Sequence, residues 1–174
     1  RGWVARERCR GPGRGGGWAG VGPAGPTVQD EAAYEHAFGV LAGASAAAAG
    51  RPGGADLLNE ALGLLLKHFW HDEHGMVREQ WDESFTTLDG YRGVNANMHT
   101  VEALLSAADV LDDASLRDHA LRIVTRVVHD LARGNQWRIP EHFDDTWTPL
   151  PEYNVDEPAH PFRPYGATIG HWLE

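Results

Sequence analysis

Three histidines, His36, His99 and His171, stand near the starts of predicted helices. Imidazole takes up and releases a proton near neutral pH, which suits the transfer of a weakly acidic proton next to a carbonyl group. Asn95 lies four residues before His99, so an amide and an imidazole share one helix face. Glu174 lies three residues after His171, where its carboxylate can orient the ring and raise its basicity. The spacing predicts a proton-transfer site at helix ends.

The helices are predicted from apolar residues that recur at spacings of three and four. The pattern indicates helices over 31–49, 55–70, 96–111 and 115–132, the last capped by Ser115, and a short strand over 76–81. The chain is therefore expected to be all-α, with short extended segments between helix pairs. The buried faces of the first and third helices are expected to contain Tyr34, Phe38, Leu41, Ala42 and Ser45, and Val101, Leu104, Leu105, Ala108 and Leu111, respectively.

The two helix pairs form an internal repeat. At an offset of 63 residues His36 aligns with His99, and at an offset of 62 residues the segment 78–82 resembles 139–144. Repeats longer than about 50 residues that contain two helices are typical of an α-solenoid or a closed α/α barrel. A closed barrel needs more pairs than this chain holds, so an incomplete barrel is expected.

The composition is typical of one globular domain, with 174 residues, 42% hydrophobic and 23% charged. The formal net charge of −10 argues against a protein that binds nucleic acid through a basic face. A single cysteine, Cys9, and the absence of a long apolar run predict a cytoplasmic chain that does not enter a membrane. Residues 1–14 contain five arginines and one acid, so we expect a disordered leader before a domain over 15–174.

Three runs of sequence carry a more specific resemblance. They are YRGVNANMHTVEA at 91–103, the aromatic and proline-rich run at 153–166, and GHWLE at 170–174. Through these motifs the chain resembles the N-acylglucosamine 2-epimerase family, and within it the bacterial sugar isomerases that act on mannose or sulfoquinovose. The resemblance implies part of an (α/α)6 barrel that interconverts aldose and ketose sugars, or epimerises them at C2, without a redox cofactor.

The resemblance also implies roles for individual residues. His171 is implied to be the general acid and base, assisted by Glu174, while His99 and Asn95 hold the hydroxyl groups and the carbonyl of a monosaccharide. Arg163 is assigned to substrate binding, with pinning of the long loop around it as the alternative. Trp172 is assigned to stacking on the sugar, with burial in the core as the alternative; both interpretations extend to Trp81 and Trp147.

Other interpretations stay open at the level of sequence. Asp82 and Asp144 occupy equivalent places in the repeat and could be the two carboxyl groups of an α/α-barrel glycoside hydrolase, although turn residues explain them more simply. A helical-repeat binding module without catalysis is a further alternative. No metal site is expected, because the spacing of His68, His71 and His74 differs from the helical zinc motif with two histidines four residues apart.

Two expectations concern the chain as a whole. A proton shuttle between adjacent carbons needs a second acid or base on the other side of the substrate, and the resembled family places one in its C-terminal part. We therefore expect these 174 residues alone to be inactive, and the full-length protein to be an isomerase, with a homo-oligomer left open.

His36 lacks an asparagine four residues before it, so a structural role is expected for it.

Overall fold

The structure is a computed structural model that describes residues 20–22, 25–28, 30–160 and 163–166. A short antiparallel pair begins it, in which β1, Gly20–Gly22, lies beside β2, Gly25–Val28. The leader predicted over residues 1–14 lies outside the described ranges. Within those ranges, no helix is both long enough and apolar enough to cross a membrane.

Four helices form two successive hairpins, at the positions that the apolar spacing predicts. In the first hairpin α1 spans Ala33–Ala48 and α2 spans Gly54–Leu64, and a π-helical turn continues α2 over Leu65–Phe69. In the second hairpin α3 spans Val94–Leu111 and α4 spans Ala114–Val124, and a π-helical turn continues α4 over Thr125–Ala132. Each helix of the first unit thus has a counterpart in the second.

The start of α4 differs from the prediction. Asp113, not Ser115, caps the helix: its carboxylate accepts hydrogen bonds from the backbone N–H of Ser115 at 2.9 Å and from the Ser115 hydroxyl at 2.7 Å. A carboxylate at this position also benefits from the partial positive charge of the helix N-terminus. Asp112 ends α3 in the left-handed conformation, with φ of 52°, so the chain reverses direction within two residues.

Pairs of two-residue antiparallel strands connect the helices. Strand β3, Glu31–Ala32, pairs with β6, Gln80–Trp81; β4, Trp70–His71, pairs with β5, Met76–Val77; and β7, Arg92–Gly93, pairs with β8, His142–Phe143. The single strand predicted over 76–81 is therefore two strands. The reason is their different partners, since β5 folds back on β4 whereas β6 pairs with the segment that leads into α1.

These strand pairs set the register of the internal repeat. The backbone N–H of Ala33 donates to the carbonyl of Glu79 at 2.8 Å, and the N–H of Val94 donates to the carbonyl of Glu141 at 3.1 Å. Both bonds tie the first residue of a helix to the strand segment that pairs just before it. The helices of the two units, and the strands β3 and β7 that lead into them, are therefore offset by 61 residues, while β6 and β8 keep the predicted offset of 62.

The offset of 61 corrects the predicted alignment of His36 with His99. His36 corresponds instead to Asn97, and both side chains are buried. The residue of α1 that corresponds to His99 is Phe38. Because α1 is rich in alanine, its sequence offers few distinctive side chains from which the correct register could be recognised.

The buried face of α1 is also shifted by about one residue from the predicted face. The predicted residues are half-buried or exposed, and Phe38 is 41% exposed. A Cβ atom on Gly43 would lie 2.6 Å from the Cα atom of Leu58, so α1 and α2 approach through small residues. Alanine and glycine thus form much of this contact, and the buried residues of α1 are Ala33, His36, Ala37, Val40, Gly43 and Ala44.

The buried face of α3 matches the prediction only in part. Leu104 and Ala108 are buried and Val101 is half-buried, as expected. Leu105 and Leu111, in contrast, are exposed. The helix buries more alanine and polar residues than predicted, including Asn97, whose side chain bonds to the backbone of Val77 and Gly93.

Candidate functional site

A polar cavity of about 370 Å³ lies at the starts of α1 and α3. The strand pairs β3–β6 and β7–β8 bring these two helix starts together, because each pair leads directly into a helix. The loop that follows β8 closes one side. The cavity is lined by Asp30, Ala32, Tyr34, Glu35, Glu79, Gln80, Asn95, Tyr153, Asn154, Glu157, His160 and Arg163.

Asn95 is the second residue of α3, and its side chain is half-buried at the cavity. Its backbone N–H donates to the Glu141 carboxylate, with 3.0 Å between N and Oε1. The buried Glu141 thereby occupies a helix start where a negative charge is favoured. The amide of Asn95 is left at the cavity wall, where it can both donate to and accept from a hydroxyl group.

His99 lies one turn further along α3, and its side chain is 17% exposed. Its Nδ1 atom is 2.6 Å from Oε2 of Glu102, so a neutral ring that donates through Nδ1 carries its lone pair on Nε2. The ring also packs edge-on against Tyr34, with 5.1 Å between centroids, and against Phe38 at 4.8 Å. Residues of both α1 and α3 therefore hold this imidazole in place.

Arg163 lines the same cavity as Asn95 and also fastens its own loop. Its guanidinium donates to Oε1 of Gln80 at 3.1 Å and to the hydroxyl of Tyr153 at 3.3 Å, and it lies 3.4 Å from a carboxylate oxygen of Asp89. The group stands over the ring of Tyr91, 4.0 Å from its centroid. Both predicted roles, loop pinning and a place at the cavity, are compatible with this position.

Two buried carboxyl groups border the cavity. Oε2 of Glu35 and Oε2 of Glu79 are buried and accept no hydrogen bond from any residue in the described ranges. Burial raises the pKa of Glu35 above its ordinary value, although the backbone of Glu35 itself opposes the shift. Burial also raises the pKa of Glu79 to about 7, against the attraction of Arg163. The site therefore holds at least one carboxyl group that can change charge near neutral pH.

Several residues of this site were not predicted. Tyr34 was expected in the core, yet it lines the cavity and touches His99. Tyr34 precedes Phe38 by the same four residues that separate Asn95 from His99, so the correct repeat register would have revealed it. Glu79 and Tyr153 carry no such local signal, because their places depend on strand pairing and on the course of a loop.

The remaining predicted site residues fall outside the described ranges. His171, Trp172 and Glu174 belong to the segment that the structure leaves undescribed, so their assigned roles stay predictions. The spacing of His171 and Glu174 is the one that joins His99 to Glu102, two residues that are hydrogen-bonded. The three site residues that the structure describes, Asn95, His99 and Arg163, all lie at the cavity or contact a residue that lines it.

The two aspartates considered for glycoside hydrolysis are turn residues. Asp82 accepts hydrogen bonds from the backbone N–H groups of Thr86 at 2.7 Å and Thr87 at 3.1 Å. Asp144 accepts equivalent bonds from Thr146 and Thr148, both at 2.9 Å. These bonds favour the ionised form, which lowers the pKa of each carboxyl group. Their equivalence in the repeat thus reflects a shared turn, which is the simpler of the two predicted explanations.

Other aromatic and histidine residues have structural settings. Trp147 is buried against Phe143, with 5.4 Å between ring centroids, and Trp81 is half-buried, with its indole N–H donating to the carbonyl of His68 at 3.0 Å. His36 is buried, and its Nε2 atom lies 2.8 Å from Oε2 of Glu31. The structural role expected for His36 agrees with this setting.

One group of possible metal ligands occurs among the described residues. Its ligand atoms lie within 4.8 Å of one another, and its members are His71, Glu73 and His74. His68 is not part of the group. Positive charge lies close to the group. After burial, the charge of Arg78 is the main cause that lowers the pKa of His71, and the Arg122 side chain packs against Gly75. Both positive charges would oppose a bound cation. We therefore keep the expectation that the chain has no metal site.

The repeated helix hairpins, with a polar cavity at the starts of α1 and α3, are typical of part of an α/α barrel. A sequence model of the N-acylglucosamine 2-epimerase (GlcNAc 2-epimerase) family matches residues 6–174, and the chain belongs to this family. It is 49% identical over 150 residues to D-mannose isomerase of Thermobifida fusca. It is 44% identical over 159 residues to D-mannose isomerase of Pseudomonas cannabina pv. alisalensis. These alignments cover 85% and 91% of this chain but 37% and 38% of the relatives, so the chain spans less than two fifths of their length.

Two solved structures share the fold of this chain. A crystal structure of D-mannose isomerase superimposes with a TM-score of 0.84 at 28% identity, covering 93% of this chain and 41% of that chain. Cellobiose 2-epimerase from Spirochaeta thermophila DSM 6192 shares the fold, with a TM-score of 0.71 at 19% identity over 85% of this chain and 39% of that chain. The predicted all-α fold, a partial (α/α)6 barrel with short extended segments between hairpins, is confirmed.

Proposed function

We propose that this chain is part of an aldose–ketose isomerase that acts on an uncharged, mannose-like monosaccharide and needs no redox cofactor. The observation that carries the proposal is the setting of His99, whose ring is held by Glu102 and Tyr34 beside the cavity that Asn95 and Arg163 line. The two curated relatives described above, at 49% and 44% identity, are both D-mannose isomerases.

The reaction moves one proton between neighbouring carbon atoms. A base removes the proton from C2 of the open-chain aldose, and the electron pair forms an enediolate with the C1 carbonyl. Return of the proton to C1, with a proton passing from the C2 hydroxyl to O1, gives the ketose. We assign one of the two carbon proton transfers to His171, oriented by Glu174, because an imidazole can act as base or acid near neutral pH; the second acid or base is the one that the family resemblance implies.

The described residues would hold the substrate during these steps. His99, fixed through Nδ1, and the amide of Asn95 are suited to hydrogen bonds with the oxygen atoms at C1 and C2. Negative charge that develops on one of these oxygens is stabilised by the N–H groups of the Asn95 amide, whereas Nε2 of His99 accepts from a sugar hydroxyl group. Arg163 adds a guanidinium from the loop that follows β8. Acidic residues, among them Asp30, otherwise border the cavity, which favours a neutral sugar over a sulfonated one.

The experiment that tests this function uses the full-length natural protein that carries this chain. Mannose, N-acetylmannosamine, sulfoquinovose and a β-linked disaccharide are incubated separately and followed by NMR. Formation of fructose from mannose, without cleavage of the disaccharide, is the expected result. Release of monosaccharides from the disaccharide would favour the hydrolase instead. Binding of sugars with no chemical change would favour a binding module.

A further inference from the structure

His142, on β8, holds the loop that carries Arg163 at two points. Its backbone carbonyl accepts the N–H of Leu150 at 2.8 Å, near the beginning of the loop. Its ring atom Nε2 lies 2.5 Å from the carbonyl oxygen of Pro164, the residue immediately after Arg163. Because His142 itself is buried, little water competes for these bonds. A single strand residue thus fixes the stretch 150–164 from both sides.

The two ring nitrogen atoms of His142 have opposite roles. A carbonyl oxygen only accepts, so Nε2 carries the hydrogen in the bond to Pro164. Burial lowers the pKa of His142 below its ordinary value, against the effect of this bond, so the ring is neutral at neutral pH. Nδ1 is then an acceptor, and the hydroxyl group of Tyr91 donates to it at 2.7 Å. Two partners therefore fix the ring in one tautomer.

The hydroxyl group of Tyr91 reaches His142 past Gly93, which pairs with His142 between β7 and β8. A Cβ atom at position 93 would lie 2.8 Å from this hydroxyl oxygen and 3.0 Å from the Tyr91 ring. A side chain at this position would therefore displace the Tyr91 ring. Glycine leaves open the place that the hydrogen bond to Nδ1 requires.

The Tyr91 ring connects His142 to the guanidinium of Arg163. The guanidinium lies over this ring, 4.0 Å from its centroid. The ring of Tyr153 packs against both Tyr91 and His142, at centroid distances of 4.8 and 4.9 Å. The hydroxyl group of Tyr153 also accepts from Arg163 at 3.3 Å. The side chain of Arg163 thus rests on rings that contact His142, while its backbone is held through Pro164.

We propose that His142 is a positioning residue that holds the Arg163 guanidinium at the cavity wall, through the carbonyl of Pro164 and the ring of Tyr91. Where it concerns the sugar, this inference rests on the proposed function, in which Arg163 binds the substrate. His142 is not among the residues that line that cavity, so it acts on the substrate through Arg163.

Loss of the His142 hydrogen bonds should weaken substrate binding without abolishing it. Gln80 and Asp89 would still contact the Arg163 guanidinium, at 3.1 and 3.4 Å in the present structure. The groups assigned to proton transfer are not touched. The effect is therefore expected in KM and not in kcat.

The test compares His142→Phe with His142→Gln in the full-length natural protein. Phenylalanine keeps a ring that can pack against Tyr153 but has no hydrogen-bonding atom, whereas the glutamine amide has an N–H donor near the position of Nε2. KM for mannose should rise about fivefold in His142→Phe, the effect of one lost hydrogen bond, with kcat within about threefold of the wild type. KM in His142→Gln should stay within about twofold of the wild type. A role in packing alone predicts the reverse order of the two variants, and that result would overturn the proposal.

Hydrogen exchange tests the hold on the loop without substrate. Amide exchange in peptides over 150–166 should be about fivefold faster in His142→Phe than in the wild type, and close to the wild-type rate in His142→Gln. His129→Phe, at an exposed position, is the control and should change neither exchange nor KM. Unchanged loop exchange in His142→Phe would overturn the proposal.

A double-mutant cycle tests whether His142 acts through Arg163. His142→Phe combined with Arg163→Gln should raise KM no more than Arg163→Gln alone, and additive effects would overturn the proposal. Should His142→Phe not fold, NMR of the histidine ring nitrogens in the wild type decides. The signals of His142, identified by their loss in His142→Gln, should show the Nε2–H tautomer, and the Nδ1–H tautomer would overturn the role. If the wild type forms no fructose, the proposed function fails, and loop exchange in the two variants alone decides the role of His142.

Discussion

The imidazole of His99 has little freedom to rotate. Glu102 holds its Nδ1 atom at 2.6 Å, while Tyr34 and Phe38 pack against the ring from α1. A ring fixed in this way presents Nε2 in one direction, which, in the function proposed above, would lower the entropic cost of orienting a substrate hydroxyl group. Helix α1 therefore contributes to the site through packing, in addition to the residue types that the motif identifies.

Asn95 is expected to contribute to binding more than to chemistry. Asn95→Ala removes an amide that can hydrogen-bond to a sugar oxygen, and one such bond is worth roughly 1 kcal/mol. KM for mannose should rise about fivefold while kcat stays within about threefold of the wild type. Steady-state kinetics of the full-length protein measure both. Asn59→Ala, at an exposed position of α2, is the control and should change neither constant. A kcat that collapses at unchanged KM would contradict the role.

The sequence identifies Asn95, His99 and Arg163 because each lies in a motif that resembles the family. It does not identify Glu79, since a glutamate in a strand segment is ordinarily solvated. Its perturbed pKa arises from burial between two helix starts, which no local pattern encodes. Residue type and spacing therefore predict groups that lie in a motif better than groups whose setting depends on the tertiary structure.

At the level of elements, the short strands matter more than their length suggests. Bonds from Ala33 to Glu79 and from Val94 to Glu141 fix where each helix begins, and with it which side chains face the cavity. The apolar periodicity predicted all four helices, but it placed the buried face of α1 one residue away. Alanine contributes to both faces of such a helix, so periodicity alone could not separate the packed face from the face that bears Tyr34 and Phe38.

The α1–α2 contact should be sensitive to a single methyl group. Gly43→Ala would place a Cβ atom 2.6 Å from the Cα atom of Leu58, where only backbone movement can relieve the clash. The free energy of unfolding should fall by about 1–3 kcal/mol. Gly63→Ala is the matched control on α2, with no atom within 4 Å of the new Cβ atom, and it should stabilise by about 0.5–1 kcal/mol. Urea unfolding measures both; equal effects of the two variants would show that the helices do not approach so closely.

The turns after β6 and β8 should lose stability as the pH falls. The pKa of Asp82 and that of Asp144 lie below the unfolded value of about 3.9, because threonine N–H and hydroxyl groups bond to the ionised carboxylates. Their contribution to stability is present above that unfolded pKa and is lost as the pH falls toward the lower folded value. Asp82→Ala and Asp144→Ala should therefore lower Tm at pH 7, by an amount that shrinks toward pH 3.

The same variants test the hydrolase interpretation. Turnover of mannose should persist in Asp82→Ala and Asp144→Ala at temperatures below their Tm, because neither residue touches the cavity. Asp118→Ala, at an exposed position of α4, is the control and should change Tm little. Cleavage of a glycosidic bond by the wild type that disappears in both turn variants would instead assign them a catalytic role.

At the scale of the whole molecule, two hairpins make up part of an α/α barrel. The starts of α1 and α3 converge on one cavity, so further hairpins would be expected to add residues at the same mouth. The chain spans less than two fifths of the length of the relatives described above, and the expectation that these 174 residues alone are inactive stays a prediction. The cytoplasmic location and the oligomeric state also stay open to measurement.

The central claim is that a histidine transfers a proton at C2 of an aldose, and deuterium exchange tests it most directly. Mannose is incubated in heavy water with the full-length natural protein and with its His171→Ala variant, and NMR follows deuterium at C2 of mannose and C1 of fructose. The wild type should introduce deuterium at these carbons as it turns over. His171→Ala should slow both exchange and turnover by about 10²–10⁴-fold, with mannose affinity within about threefold of the wild type. Fructose formed without solvent deuterium, or exchange in His171→Ala at the wild-type rate, would contradict the claim.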